Sequence, residues 1–390
     1  MKWKFYSLAF VAGMSILTAY SCDDNNDNDG NGGNGNGNEI ENGTILKGTI
    51  TSDVTLAAGN TYKLSGEYIV EEGATLHIEE GVKIIAVYDD IADYILVKQG
   101  GKINAVGTSD KPIVMTSEKE EPGAWGGIHI CGRAHTNAEG GKGSSEIGGA
   151  VYGGNDDADN SGTLQYIRLE YTGFAFDEEH EANGISFYGV GNGTIVDHCQ
   201  AYKGSDDGFE FFGGSVNVSN LVAVSCSDDS FDWTEGWNGK GTNLVAYQEA
   251  ESTLGYDCDC LMECDNNGSN NAATPVAHPV LKNLILVGNG GSKQGIRLRA
   301  GTEVEIDNAK VCGKGQPLTV ETALTENALK NGTSKLTNIT LTSELSCKEG
   351  IYTHADFIAV TSNKVDANLS YSSFEDIKKE CSWMNGNWVK

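Results

Sequence analysis

Residues 206–212 read DDGFEFF, and residues 228–234, which begin 22 positions later, read DDSFDWT. The same offset of 22 relates residues 196–201, VDHCQA, to residues 218–223, VSNLVA. Further copies of this second unit occur at residues 164–169, 242–246 and 281–286. A sequence that repeats itself at a nearly fixed interval indicates a stack of equivalent structural units.

Each unit contains short runs in which apolar and polar side chains alternate, such as TLHI at residues 75–78. Gly, Asn or Asp residues separate these runs, and this combination is typical of β-strands joined by turns. One such coil cannot bury its apolar side alone, so neighbouring coils must stack. A β-propeller would need a period nearer to about 40 residues. The sequence therefore predicts an all-β fold, a single-stranded parallel β-helix with coils of about 22 residues.

The repeat pattern predicts that the β-helix extends over residues 39–313. Two long loops, at residues 133–162 and 249–279, interrupt the period. After residue 313 the pattern changes, and residues 321–330 have the composition of a helix. We expect residues 314–390 to form a small C-terminal cap that covers the open edge of the last coil.

The charge balance limits the choice of partners. The 390 residues include 27 Lys and Arg against 55 Asp and Glu, a formal net charge of −28. Binding to nucleic acid depends on basic residues that neutralise phosphates, so no nucleic-acid partner is expected. An anionic membrane surface is disfavoured for the same reason. The apolar fraction of 39%, together with the periodic segments, excludes a chain that is disordered throughout.

The N-terminal segment has the features of an export signal. Two lysines precede an apolar stretch at residues 5–17, which is too short to span a bilayer. With Cys22 it resembles a bacterial lipoprotein signal, so we expect residues 1–21 to be removed and Cys22 to be lipidated. The alternative is an ordinary secretory signal.

Residues 23–38 contain only Asp, Asn and Gly and predict a flexible, hydrated linker. An acidic run directly after a lipidated cysteine resembles the export signal of surface-exposed lipoproteins in Gram-negative bacteria. This resemblance implies a lipid anchor in the outer membrane and a domain exposed at the cell surface. The alternative is a spacer that carries no address.

Several motifs resemble one family of bacterial surface lipoproteins, which is largely uncharacterised. They are YGGNDD at residues 152–157, GTLQYIRLEY at residues 162–171 and DDGFEFFGG at residues 206–214. The resemblance covers roughly residues 44–313. It implies a right-handed parallel β-helix, the hand that parallel crossover connections generally adopt.

Acidic residues coincide with the repeat. Aligning the strands places Ile185, Phe209, Phe231, Met262 and Ile296 in one inward row, followed on the outside by Ser186, Glu210, Asp232, Glu263 and Arg297. Two Asp pairs, at residues 206–207 and 228–229, precede the Phe209 and Phe231 strands. Carboxylates on adjacent coils would lie about 5 Å apart, which costs stability unless a cation, a basic residue or a proton compensates them.

This arrangement predicts a divalent-cation site. Carboxylate oxygens suit Ca²⁺, which takes several oxygen ligands. The predicted metal ligands are Asp206, Asp207, Asp228 and Asp229. The alternative is structural, because Asp also forms turns by accepting backbone N–H bonds.

The same coils supply a predicted binding face for an extracellular ligand, a glycan or host matrix. Its residues are Glu210, Asp232, Trp233, Trp237, Glu263, Arg297 and Arg299. Exposed Trp rings beside acids and amides would stack on sugar rings, whereas the alternative is that both Trp residues pack in the core. The leading hypothesis is an adhesion-like binding protein that does not catalyse a reaction.

An enzymatic alternative uses part of this set. Two Asp pairs on successive coils, followed by an Arg-x-Arg strand, resemble β-helix polysaccharide lyases and polygalacturonase-type hydrolases. The catalytic residues would then be Asp207, Asp228, Asp229 and Arg297. The Gly-His-Gly turn that such hydrolases carry before the basic strand is absent, since His278 lies between Ala277 and Pro279. A structural component of the cell surface is a third alternative.

Ten cysteines occur in the chain, and nine remain after Cys22. Export permits disulfides. Cys347 with Cys381, and one pair among Cys258, Cys260 and Cys264, are the candidate bonds, although spacing alone does not fix connectivity.

Overall fold

The computed structural model describes residues 38–89, 91–176 and 181–390. The predicted signal peptide at residues 1–21, the lipidated Cys22 and linker residues 23–37 lie outside the described residues. No helix in the described ranges is long and apolar enough to cross a membrane.

The described chain winds into stacked coils whose strands pair in parallel, which confirms the predicted β-helix. One face, here called the front sheet, receives one strand from each coil. Its main strands are Tyr94–Val97, Ile128–Cys131, Ile185–Tyr188, Phe209–Phe212, Phe231–Thr234, Met262–Cys264, Gln294–Leu298, Gln316–Val320 and Ser346–Cys347. Each strand pairs with the equivalent strand of the next coil, as Phe209 does with Phe231.

A second, longer strand in each coil bends in the middle and forms the other two faces. These bent strands are Gly162–Glu170, Ile195–Tyr202, Asn217–Val224, Lys240–Tyr247, Val280–Val287, Glu305–Cys312 and Lys335–Leu341, with Lys364–Val365 as the last short addition. In the first coils the same two faces are built from Asn38–Glu39, Val54–Leu56, Thr75–Ile78, Lys83–Ala86, Lys102–Val106 and Ile113–Ser117. The strands Ile45–Ile50 and Thr61–Val70 continue from these faces into the front sheet, where the end of Thr61–Val70 pairs with Tyr94–Val97.

Asparagine explains most of the bends. Asn220, Asn243, Asn283 and Asn308 each have φ between 56° and 63°, a left-handed conformation that Asn tolerates better than most residues. Their side chains also stack: the Asn243 amide donates to Asn220 Oδ1 at 2.8 Å, and the Asn283 amide donates to Asn243 Oδ1 at 3.0 Å. The repeated Asn therefore fixes the corner of these coils, while Tyr166 and His198 adopt the same left-handed conformation in the two coils before them.

The core lies inside the coils, and the predicted inward row is confirmed. Ile185, Phe209, Phe231, Met262 and Ile296 are all buried. The rings of Phe209 and Phe231 stack with centroids 5.6 Å apart. Because side chains alternate between the two faces of a strand, the residue after each of these must point outward.

The predicted boundary at residue 313 is wrong. Strands Gln316–Val320 and Lys335–Leu341 pair in the same parallel columns as the preceding coils, so the β-helix continues through them. A helix at Ala323–Asn331, close to the predicted one, lies between these strands. The other helices are Glu251–Leu254, His354–Ala359 and Phe374–Glu380, with 3₁₀ turns at Glu139–Gly141 and Ser382–Met384 and a small hairpin at Gly143–Ser144 and Val151–Tyr152.

The last residues of the chain lie along the side of the β-helix, where they cover an apolar outer row. Ile377 and Met384 pack against Val222, Val245 and Ile285 in one buried cluster. We call this covered surface the back face. The last part of the predicted cap is thus a lateral cover for apolar side chains on the outside of the bent strands. Tyr352 and Phe357, which lie earlier in the predicted cap, belong to the main core instead.

All nine cysteines in the described part of the chain are free. Cys347 pairs with Val320 in the front sheet, whereas Cys381 packs on the back face, so the predicted bond between them does not form. Cys258, Cys260 and Cys264 are buried as separate thiols, and no disulfide forms among them.

Candidate metal centre

Acidic side chains form a vertical series on the outside of the front sheet. Strand pairing places Ser186, Glu210, Asp232, Glu263 and Arg297 on five successive coils at equivalent positions. Adjacent strands lie about 4.8 Å apart, so these side chains are direct neighbours. We call the acids of this row and of the preceding turns the acidic ladder: Asp206, Asp207, Glu210, Asp228, Asp229, Asp232 and Glu263.

Asp207 and Asp229 have a structural role within the ladder. Asp207 Oδ1 accepts the backbone N–H of Asp229 at 2.8 Å, and Asp229 Oδ1 accepts the N–H of Cys260 at 2.6 Å. Asn183 Oδ1 makes the same bond to the N–H of Asp207 at 3.1 Å. One oxygen of each Asp therefore has a structural role, although it joins adjacent coils and does not close a local turn, while the second oxygen remains available.

The remaining oxygens converge. In one cluster, oxygens of Asp207, Glu210 and Asp232 all lie within 4.8 Å of one another, and in a second the same holds for Asp229, Asp232 and Glu263. Asp232 belongs to both clusters. Its Oδ1 is buried and has no hydrogen-bond partner among the described residues. A buried carboxylate oxygen without a donor is costly unless a proton or a cation satisfies it.

Two further clusters flank this pair. Asp206, Asp207 and Asp228 converge on the more exposed side, and Asp229, Asp259 and Cys260 converge where the chain enters the next strand. Three of the four predicted metal ligands, Asp206, Asp207 and Asp228, thus share one cluster. Asp229 belongs to two others, one of which it forms with Asp232 and Glu263. Hard carboxylate oxygens dominate the donor set, which fits Ca²⁺ better than a thiophilic metal.

The acids strongly perturb one another. Burial raises the pKa of Asp207, Glu210, Asp229 and Asp232 well above the usual range, and the neighbouring carboxylates raise them further. Burial and Asp228 raise the pKa of Asp206 to about 8.

Asp228 is the most exposed acid of the ladder, but the protein atoms packed around its carboxyl group partly desolvate it and, together with Asp259, raise its pKa to about 6. With no cation bound, Asp206 therefore retains a proton at neutral pH, and a bound cation would compete with protons for the carboxylates of the ladder.

Basic residues end the ladder on one side. Arg297 pairs with Glu263 at 2.8 Å and with Glu321 at 3.2 Å. Arg299 pairs with Asp265 at 2.7 Å and also with Glu263. Both guanidinium groups thus form ion pairs, and the carboxylates around Arg297 raise its pKa above the ordinary value.

The predicted role of Trp233 and Trp237 in ligand stacking is wrong. Each is 1% exposed and lies in the core, where the Trp233 indole N–H donates to Thr302 Oγ1 at 3.0 Å. The Trp237 N–H donates to the carbonyl of Val216 at 3.2 Å. Strand alternation explains the position of Trp233, which follows outward-facing Asp232 and so shares the inward face of Phe231.

Some site residues were missed in the sequence. The Asn183 amide donates to Glu210 Oε2 at 2.6 Å and to Ser186 Oγ at 3.0 Å. The alignment of Asn183-Gly184 with Asp207-Gly208 could have shown this position. Glu146 and Glu181 come from irregular segments and raise the pKa of Asp206 by charge repulsion, but no periodic signal marks them.

Comparison with known proteins gives one match. A family model described as the pectate-lyase-like beta helix domain matches residues 48–390. No curated protein matches the chain. No solved structure matches it either. The family model covers most of the chain, and the fold is a parallel β-helix. The chain therefore belongs to the family of pectate-lyase-like beta helix domains.

Proposed function

We propose that the protein is a cell-surface lipoprotein that holds Ca²⁺ on the acidic ladder and binds an extracellular ligand through this face without catalysis. The ligand is a glycan or a host-matrix component. The observation that carries the proposal is the pair of three-carboxylate clusters that share Asp232, whose buried Oδ1 has no partner among the described residues.

The chemistry of the clusters supports a cation. Each cluster offers three carboxylates, and Ca²⁺ takes six to eight oxygen ligands at about 2.3–2.6 Å, with water or a ligand filling the remaining positions. A sugar hydroxyl or a uronate oxygen can occupy such an open position. A bound cation would also offset the repulsion among Glu210, Asp232 and Glu263, which Arg297 and Arg299 relieve at one end of the row.

The contacts of the predicted catalytic residues favour binding over catalysis. Asp207 and Asp229 each use one oxygen to hold the backbone of the next coil. Arg297 is fixed between Glu263 and Glu321, so it is not free to act as a base. Of the four residues, Asp228 alone is exposed.

Cleavage of a polysaccharide by a lyase or hydrolase is the second candidate function. The observation that favours it is the proximity of Asp206, with a pKa of about 8, to Asp228, with a pKa of about 6. Carboxyl groups tuned to neighbouring pKa values near neutrality are suited to acid–base chemistry.

One experiment separates the two functions. The full chain is incubated with a panel of neutral and acidic polysaccharides and matrix proteins, in CaCl₂ and in EDTA. We expect retention of a ligand that depends on Ca²⁺, with no release of reducing or unsaturated ends. Release of such ends, lost in Asp228→Asn, would establish the enzyme instead, and absence of both results would refute the proposal.

Membrane attachment is tested separately. Cys22→Ala should leave the protein soluble, because the lipid anchor that holds it to the outer membrane would be lost. The measurement is partitioning between membrane and soluble fractions, with Cys131→Ala as a control that keeps the anchor. Equal partitioning of Cys22→Ala and the native protein would contradict the lipoprotein assignment.

A further inference from the structure

A polar cleft lies directly beside the acidic ladder. It has a volume of about 660 Å³, within the roughly 300–1,000 Å³ that small-molecule sites span. Its floor is the end of the Phe231–Thr234 strand, and its walls are the two irregular segments around residues 137–139 and 267–270. The side chains that matter here are Asn137, Glu139, Thr234, Glu235, Ser269 and Asn270.

The walls are held in place by buried amides. The Asn137 amide donates to Asn266 Oδ1 at 2.8 Å and to the carbonyl of Pro275 at 3.0 Å. The Asn267 amide returns a bond to Asn137 Oδ1 at 3.0 Å. Asn266 is fully buried and also donates to the carbonyl of Ala273. These bonds join the two segments into one frame, so the cleft is preorganised and does not depend on a ligand to form.

Glu235 is fixed at the floor in an unusual conformation. Its φ is 54°, in the left-handed region that non-glycine residues seldom occupy. Glu235 Oε2 accepts the hydroxyls of Thr136 and Tyr152, both at 2.7 Å. Its other oxygen accepts no bond from the described residues. A strained residue held by its surroundings at a cleft is a common feature of binding sites.

Several other groups in the cleft retain free hydrogen-bonding capacity. Among the described residues, the Thr234 hydroxyl, the Ser269 hydroxyl and the Asn270 amide nitrogen have no protein partner. Ser269 and Asn270 are exposed, while the backbone N–H groups of both donate to Asn267 Oδ1. The cleft thus presents donors and acceptors at fixed positions.

The composition of the cleft selects a ligand class. Its charged side chains are Glu139 and Glu235, and no basic residue lines it, so phosphate, sulfate and uronate groups would be repelled. Ala138 is its single apolar lining residue, which gives little surface for a lipid or an apolar peptide. Hydroxyls, amides and carboxylates match the alternating donors and acceptors of sugar hydroxyl groups. We infer that this cleft binds a neutral oligosaccharide directly, without a cation.

The cleft and the ladder face the same side. Thr234 follows Asp232 by two residues on one strand, so both side chains point outward, about 7 Å apart along the strand. A glycan in the cleft would therefore extend onto the ladder. This inference deepens the proposed glycan-binding function and rests on it, but it depends on different residues.

In the test, the full chain is first applied to an array of neutral and uronate-containing oligosaccharides. Binding of the strongest neutral ligand is then measured by calorimetry, once in CaCl₂ and once in EDTA. We expect neutral binding in both buffers. Ser269→Trp, which fills the cleft from an exposed loop, should weaken it at least tenfold, and Ser52→Trp on the exposed first coil should leave it unchanged. Calcium binding by Ser269→Trp should remain native, which shows that the variant is folded.

Failures of the two proposals are distinguishable. If the native protein retains no neutral glycan, or Ser269→Trp binds it as tightly as the native protein, the cleft is not the site. Retention of uronate-containing oligosaccharides alone would show that the cleft does not select neutral sugars and would overturn the inference. Loss of the calcium heat with neutral binding intact would refute the cation and leave the cleft standing.

Discussion

The front and back faces of this β-helix are built by the same coils but carry opposite side chains. On the front, pairing stacks Glu210, Asp232 and Glu263. On the back, the same coil-by-coil pairing stacks Val222 and Val245. The back row is covered by the end of the chain, whereas the front row is flanked by further acids and ended by Arg297.

In a solenoid, equivalent side chains recur at the same position of each coil, so favourable and unfavourable contacts both accumulate along the stack. Stacking one apolar side chain on another is favourable and needs only a cover, which Ile377 and Met384 supply. Stacking one carboxylate on another is unfavourable, and burial together with the neighbouring carboxylates raises the pKa values of Glu210 and Asp232. The chain completes its back face by itself, while the front face requires protons or a cation.

The largest effect should come from the core that both faces share. Phe231→Ala should lower the free energy of unfolding by about 3–5 kcal/mol, because it leaves a cavity next to Phe209. Chemical denaturation followed by circular dichroism measures this loss. A change within about 0.5 kcal/mol would place the side chain outside the core and invalidate the strand register.

A smaller loss should affect the back face alone. Met384→Ala should cost about 2–3 kcal/mol, at the low end for a buried Met, because the terminal segment can settle into part of the space. Met384 is fully buried against the back row. The control is calcium affinity, which should stay native. If affinity falls together with stability, the two faces are coupled and the contrast drawn here is wrong.

The acids of the front face should make the stability of the protein depend on pH. In the folded protein the pKa of Asp206 is about 8 and that of Asp228 about 6, both above their ordinary value of 3.8. The folded state thus binds more protons than the unfolded state between about pH 4 and 8, so stability in EDTA should fall as the pH rises through this window.

Denaturation midpoints at several pH values in EDTA measure this slope, and Asp228→Asn should reduce it. Saturating CaCl₂ should oppose the fall, because the cation replaces the protons. Stability that rises with pH in EDTA would contradict the assigned burial of these acids.

Periodicity made the fold predictable. The 22-residue offset and the alternation at Phe231-Asp232-Trp233 fix the coil, the inward row and the outward acids. The same alternation, applied strictly, also places Trp233 inside. The end of the β-helix was misjudged because the strands after residue 313 are separated by helices that disrupt the period.

The site was predictable only where it follows the repeat. Asp207 and Asp229 occupy equivalent positions, so the sequence brings them together. Glu146 and the cleft residues Asn137 and Asn267 belong to segments without a period, and their positions depend on long-range contacts such as the bond between Asn137 and Asn267. No local pattern encodes such contacts.

The central claim is that the acidic ladder holds a cation, and calorimetric titration of the full chain with CaCl₂ tests it most directly. The native protein should give binding heat and gain about 2.7 kcal/mol of stability at a hundredfold excess over Kd. Asp232→Asn should lose at least tenfold in affinity, because one carboxylate ligand of both clusters is removed. Asp110→Asn on an exposed turn should match the native protein. No binding heat, together with identical melting of the native protein in EDTA and in CaCl₂, would contradict the account.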